Sequence, residues 1–161
     1  FDSQRPYQML NEFHQKIQGH EKTMASLMES ASLFEVTISE YKQLRQCRYE
    51  VGLLKELWDM ITVVESSIAA WRTTPWREIN VENMELECKR FSKDIRGLDK
   101  EVRAWEAFTG LDSMVKNILT SLRAVAELQS PAIRTRHWHQ LMAATGVCFT
   151  MDQVWNLFKH L

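Results

Sequence analysis

The sequence predicts an all-α protein, an elongated helical bundle or bundles of about six helices joined by short connectors. Three observations carry this expectation. Apolar residues recur at alternating steps of three and four over most of the chain, the spacing that lines one face of a helix. The 161 residues include five Gly and three Pro, too few for a loop-rich or all-β fold. The apolar fraction is 45%, enough to fill a core.

The first stripe runs Leu10, Phe13, Ile17, His20, Met24, Leu27, Ala31 and Phe34. Pro6 suits the first turn of that helix, where a missing N–H costs nothing. His20 falls on the stripe, where a hydrogen-bonded histidine between helices is expected. Residues 34–38 alternate and are β-branched, so an extended connector is expected there, with Ser39 capping the next helix.

The second stripe is Tyr41, Leu44, Cys47, Val51, Leu54, Leu57, Ile61, Val64, Ile68 and Trp71. It implies a helix of about 33 residues, roughly 50 Å long at 1.5 Å per residue. Gly52 weakens it by about 1 kcal/mol relative to Ala. Thr73-Thr74-Pro75-Trp76 ends it, because a residue before Pro disfavours the α region. Asn80 is a good cap for a third helix with the stripe Val81, Met84, Cys88, Phe91 and Ile95, closed at Gly97.

Asp99 caps a fourth helix carrying Val102, Trp105, Phe108, Leu111, Val115, Ile118, Leu122, Val125 and Leu128, with a kink or split expected at Thr109-Gly110. Ser130-Pro131 starts a fifth helix and Gly146 ends it. Thr150 to Gln153 has capping-box spacing and opens a sixth.

Composition excludes several function classes. Charged residues make up 25% and the formal net charge is -1, which argues against a dedicated binder of nucleic acid or of a membrane surface. Cys47, Cys88 and Cys148 are far apart and odd in number, with no CxxC or Cys/His spacing, so neither a disulfide framework nor a zinc site is suggested. A reducing compartment is expected. No phosphate-binding G-x-x-x-x-G-K-[ST] occurs among the glycines, and no G-x-G-x-x-G, H-E-x-x-H or G-x-S-x-G is present.

The remaining candidates for chemistry favour structural readings. His137 and His139 flank Trp138, and neighbours on a helix point about 100° apart, so the two do not chelate one ion. A Trp138 core anchor between surface histidines is expected. His14 and His20 are no better spaced. Glu82, Glu85 and Glu87 form an acid/base pair only if a pocket gathers them; a solvated face is expected. Arg134, Arg136, His137 and His139 make a small basic cluster, read as a helix flank balanced by Glu127 rather than as a contact for an acidic partner. Six Trp, at 58, 71, 76, 105, 138 and 155, imply extensive helix packing or a docking surface.

Several local patterns together resemble the linker region of dynein heavy chains. They are Leu57-Trp58-Asp59 opening a long helix, Thr74-Pro75-Trp76 ending it, Leu98-Asp99-Lys100-Glu101 before Val102-Arg103-Ala104-Trp105, and Arg136-His137-Trp138-His139-Gln140-Leu141-Met142. The resemblance covers about residues 40–149. The run Pro75-Trp76-Arg77-Glu78-Ile79-Asn80 and the Leu-Asp-Lys-Glu run look more like axonemal, outer-arm beta-type heavy chains than the cytoplasmic motor. After Gln153 the chain departs from the family pattern.

The resemblance implies a division of the chain: 1–39 the end of a helical tail, 40–149 the N-terminal part of the linker, 150–161 a C-terminal helix. It implies a mechanical segment that performs no chemistry, part of a lever carrying ATP-driven motion of an AAA+ ring to the tail. The structural anchors carried over are Trp58, Trp76, Trp105, Trp138 and Leu141. Implied partners are the AAA+ ring and remaining linker of the same heavy chain, other dynein subunits, and microtubules indirectly, in the cytoskeleton of a ciliary or flagellar axoneme. No cofactor is implied for this segment, ATP and Mg belonging to the parent motor. An independent helical adaptor or scaffold binding partner helices is the alternative. The start at Phe1 and the stop at Leu161 look like cuts in a longer polypeptide, so self-association or terminal disorder is expected of the chain made alone.

Overall fold

A computed structural model describes residues 4–38 and 41–146. The expected cap at Ser39, Cys148 and the expected sixth helix lie outside the described residues. Among the described residues there are five α-helices, two 3-10 turns and no strand: α1 Gln4–Leu33, α2 Lys42–Thr73, α3 Val81–Gly97, α4 Glu106–Leu128 and α5 Thr135–Thr145. The all-α expectation holds. The chain divides into two compact units, Phe1–Thr62 and Val63–Leu161.

In the first unit α1 lies antiparallel to the early part of α2. Tyr7, near the start of α1, donates its hydroxyl to Asp59 at 2.8 Å, while Glu21 further along pairs with Arg48. The α1 stripe resolves into two rows with steps of seven. Leu10 and Ile17 are buried and Met24 and Ala31 half-buried. Phe13, Leu27 and Phe34 are 51%, 50% and 79% exposed, and His20 is exposed as well. The expectation of a continuous buried stripe with an interhelical His20 is therefore corrected. One partner helix covers both the a and the d positions of a seam only where it lies squarely over both rows. Here a single partner helix covers one row and leaves the other open.

The end of α1 also differs from the expected extended connector. Val36 N–H donates to Ala31 O at 3.0 Å and Glu35 N–H to Ser32 O at 3.3 Å, with Glu35 left-handed at φ 56°. This is a Schellman cap, usually made with Gly. Glu35 adopts it at a cost of roughly 1 kcal/mol, and only after this cap does the chain leave the helix.

Helix α2 has 32 residues and ends at Thr73, as the Pro75 signal requires. Its buried seam is Leu53, Leu57, Ile61, Val64, Ile68 and Trp71. The early stripe positions do not join it: Tyr41 and Leu54 are exposed, and Leu53 takes the place expected for Leu54. Gly52 sits mid-helix, and a Cβ added there would meet nothing within 4 Å. Gly52→Ala should therefore stabilise the chain by about 1 kcal/mol, read as a higher urea midpoint at unchanged slope. A lowered midpoint would show that the helix needs the glycine.

The second unit is built on an α3–α4 hairpin. Asn80 caps α3, its side chain accepting from Asn83 N–H at 3.0 Å, and the whole stripe Val81, Met84, Cys88, Phe91 and Ile95 is buried. Opposite it α4 buries Leu111, Val115, Leu122 and Val125. Both ends of the hairpin are tied. Gln129 donates to Ile79 O at 3.0 Å at one end, and Arg103 donates to Arg96 O at 2.8 Å at the other.

Two boundaries differ from the sequence expectation. The break in the fourth helical stretch falls at Trp105, not at Thr109-Gly110. Asp99 accepts from Glu101 N–H at 3.0 Å and starts only a 3-10 turn, Val102–Ala104. Trp105 is then extended (φ -80°, ψ 141°) and its carbonyl opens α4 by accepting from Phe108 and Thr109 N–H. Gly110 continues the helix undisturbed. Likewise Ser130-Pro131 does not open α5. Ile133 N–H donates to Ser130 O at 2.9 Å, so Pro131 occupies the second position of a β-turn, which suits its fixed φ equally well. Helix α5 starts four residues later and ends at left-handed Gly146, φ 68°.

Candidate functional site

The side chains capable of carrying chemistry are dispersed. His137 Nδ1 accepts from Arg134 N–H at 3.1 Å, and its other ring nitrogen lies 3.2 Å from Arg136 Nε. The ring thus closes the first turn of α5, while His139 is exposed. Among the described residues no group of three or more His, Cys, Asp or Glu could hold a metal ion. Glu87 accepts from Ser67 at 2.8 Å, and Glu85 pairs with Lys89 at 3.3 Å. Glu82 and Glu85 do line one polar cleft of about 650 Å³ with Arg77, Asn80 and Gln129. Burial pushes the Cys88 thiol up to about 11, with Glu87 and Glu85 adding to the effect. It is therefore no thiolate nucleophile at neutral pH. Cys47 is exposed.

The five expected anchors fall at different depths. Trp138 is 4% exposed, whereas Trp58, Trp76, Trp105 and Leu141 are half-buried. The structure brings two of them together: the rings of Trp76 and Trp138 meet edge to face, centroids 5.8 Å apart at 90°. Such aromatic pairs add about 0.5–1.5 kcal/mol beyond the area they bury. The contact ties the 3-10 turn Trp76–Glu78 to α5 within the second unit.

One polar cluster was not legible beforehand. Asp59 accepts from Tyr7 at 2.8 Å and from Lys55 at 2.8 Å, and Tyr7 also reaches Thr62 at 3.2 Å. The Lys55 hydrogen bond, with that of Tyr7, holds the Asp59 carboxyl below its ordinary value. Tyr7 lies 52 residues from Asp59, and no spacing rule connects them.

Two apolar clefts lie in the first unit, between α1 and α2. One, of about 390 Å³, is lined by His20, Thr23, Met24, Leu27, Tyr41, Gln43, Leu44 and Cys47. The other, of about 540 Å³, is lined by Tyr7, Leu10, Asn11, His14, Arg48, Val51, Gly52 and Lys55. No helix among the described residues is long and apolar enough to cross a membrane.

Among the described residues, fold and packing define an all-α protein with a buried helical hairpin and an edge-to-face tryptophan contact. Residues 44–160 match the family described as dynein heavy chain, N-terminal region 2. Over 153 residues, 95% of the chain, it is 71% identical to dynein axonemal heavy chain 9 of Homo sapiens, covering 3% of that protein. It is 63% identical to the ciliary dynein beta chain of Tripneustes gratilla, over 95% of this chain and 3% of that protein. With the flagellar outer-arm dynein beta chain of Chlamydomonas reinhardtii it shares 39% identity, over 91% of this chain and 3% of that one. The chain belongs to the dynein heavy chain family. It spans about 3% of the length of these relatives. The family match runs to residue 160, past the departure expected after Gln153, and α1 precedes its first residue.

Proposed function

We propose that the chain is a mechanical segment of an axonemal dynein heavy chain, part of the linker lever that carries ATP-driven motion of the AAA+ ring to the tail in microtubule-based ciliary motility. The observation that carries this reading is the match of residues 44–160 to N-terminal region 2 of dynein heavy chains. The 71% identity to an axonemal member supports the axoneme as its setting. Its partners in this reading are the ring and remaining linker of the same heavy chain, other dynein subunits, and microtubules only indirectly. The segment itself binds no cofactor, nucleic acid or membrane; ATP and Mg act in the ring.

The packing supports a force-bearing role. A helix pair tied at both ends by Gln129–Ile79 and Arg103–Arg96 resists splaying. Trp58, Trp76, Trp105, Trp138 and Leu141 act as anchors, with the Trp76–Trp138 contact fixing α5 to the turn after α2. The test is Trp138→Ala in a full-length heavy chain, with ATPase turnover and microtubule gliding measured together. Gliding slowed several-fold at retained ATPase turnover is expected, because a softened lever uncouples the ring from its load. A proportional loss of both, or no change in either, overturns the reading.

A further inference from the structure

The uncovered face of the first unit has the form of a bundle missing one helix. On α1 the inner row Leu10, Ile17, Met24 and Ala31 is buried or half-buried, and so is the inner row Leu44, Val51 and Trp58 on α2. Both rows step by seven and face each other across the hairpin. The outer rows lie three residues further along: Phe13, His20 and Leu27 on α1, Cys47 and Leu54 on α2, all exposed. In an antiparallel pair the same three-residue offset places both outer rows on one side of the hairpin. The cleft that holds His20, Leu27 and Cys47 together confirms this placement. Ten of the thirteen exposed large hydrophobic residues of the described chain belong to this unit, Met9 to Leu54, so the apolar exposure is concentrated here.

We infer that this face is the docking groove for one further α-helix, whose apolar 3–4 seam seats on Phe13, His20, Leu27, Cys47 and Leu54 and whose flank toward α1 is acidic. The length follows from the row: Phe13 to Leu27 spans about 21 Å at 1.5 Å per residue, so a partner of four to five turns fits. The charge follows from the lining. The cleft contains His20 and no carboxylate among its eight side chains. Lys16, one turn before His20, lies over the Phe13 ring with its Nζ 5.4 Å from the centroid. That contact keeps an ammonium on the apolar row itself. A carboxylate on the incoming helix would meet Lys16 and His20, whereas a basic flank would confront Lys16 with a like charge. This inference concerns α1 and early α2, and it stands whether or not the lever reading holds.

The experiment titrates the 161-residue chain with two synthetic 18-residue helical peptides sharing one leucine 3–4 seam, flanked in one by Glu and in the other by Lys. Fluorescence anisotropy reads the affinity. The Glu peptide should bind at least tenfold more tightly than the Lys peptide. Phe13→Glu with Leu27→Glu should abolish binding of both, and Lys16→Glu with His20→Glu should reverse their order. All four positions are exposed, so circular dichroism and melting of the variants should match the parent. Failure of both peptides to bind overturns the inference. So does equal affinity for the two, or binding that survives Phe13→Glu with Leu27→Glu. A dimer in sedimentation that those two substitutions dissociate would assign the groove to a second copy, and overturns it too.

Discussion

Trp138→Ala should destabilise the second unit by about 3–5 kcal/mol, the range for deleting a large buried aromatic. The side chain is 4% exposed, and its ring edge meets Trp76 at 5.8 Å. Removing it leaves a cavity under α5, an eleven-residue helix with one buried residue of its own. So short a helix is marginal in isolation and depends on tertiary packing. Melting should fall by on the order of 10 °C, and hydrogen exchange should quicken first in α5. An unchanged melting curve would mean that α5 is held by other contacts.

Ile61→Asp should be comparably severe, for an electrostatic reason. Ile61 is 8% exposed, between Leu57 and Val64, which are both fully buried. Among the described residues no buried one is polar or charged, so a carboxylate placed there meets no buried polar partner among them. The penalty for an unpaired buried ion is roughly several kcal/mol, larger than the loss of the methyl groups alone. Loss of cooperative melting near 25 °C is the expected readout. The control is Asp59→Ala, two residues away and off the seam. That change is still not silent, because Asp59 accepts from Lys55 and Tyr7. Its side chain is 47% exposed, so the loss should stay near 1 kcal/mol or below. Its carboxyl is held below the ordinary value, so this contribution is present above that value and fades as pH falls through the lowered one. Equal damage at Ile61 and Asp59 would refute the seam.

Local chemistry alone determined most elements of this chain. Asn80 capping α3, Pro75 ending α2, left-handed Gly146 ending α5 and the complete buried stripe of α3 all follow from rules that act within one or two turns. The fourth stretch shows where such rules stop. Asp99 and Pro131 are both good helix starters, yet each begins a single turn, because a cap or a fixed φ satisfies a tight turn as well as a helix. Trp76 and Trp138 stand out in the sequence by their type, but their contact does not, since they lie 62 residues apart and periodicity carries no information across that separation.

Tertiary structure decided which apolar residues are core and which are surface. The steps of three and four in α1 mark two rows as equally hydrophobic, and nothing in the spacing separates Ile17 from Phe13. Only the antiparallel approach of α2 covers Leu10 and Ile17 and leaves Phe13, Leu27 and Phe34 in solvent. Periodicity is a property of one helix, whereas burial needs a second surface. The sequence therefore determined the helices and their apolar faces, and the fold alone determined which of those faces remained open to a partner.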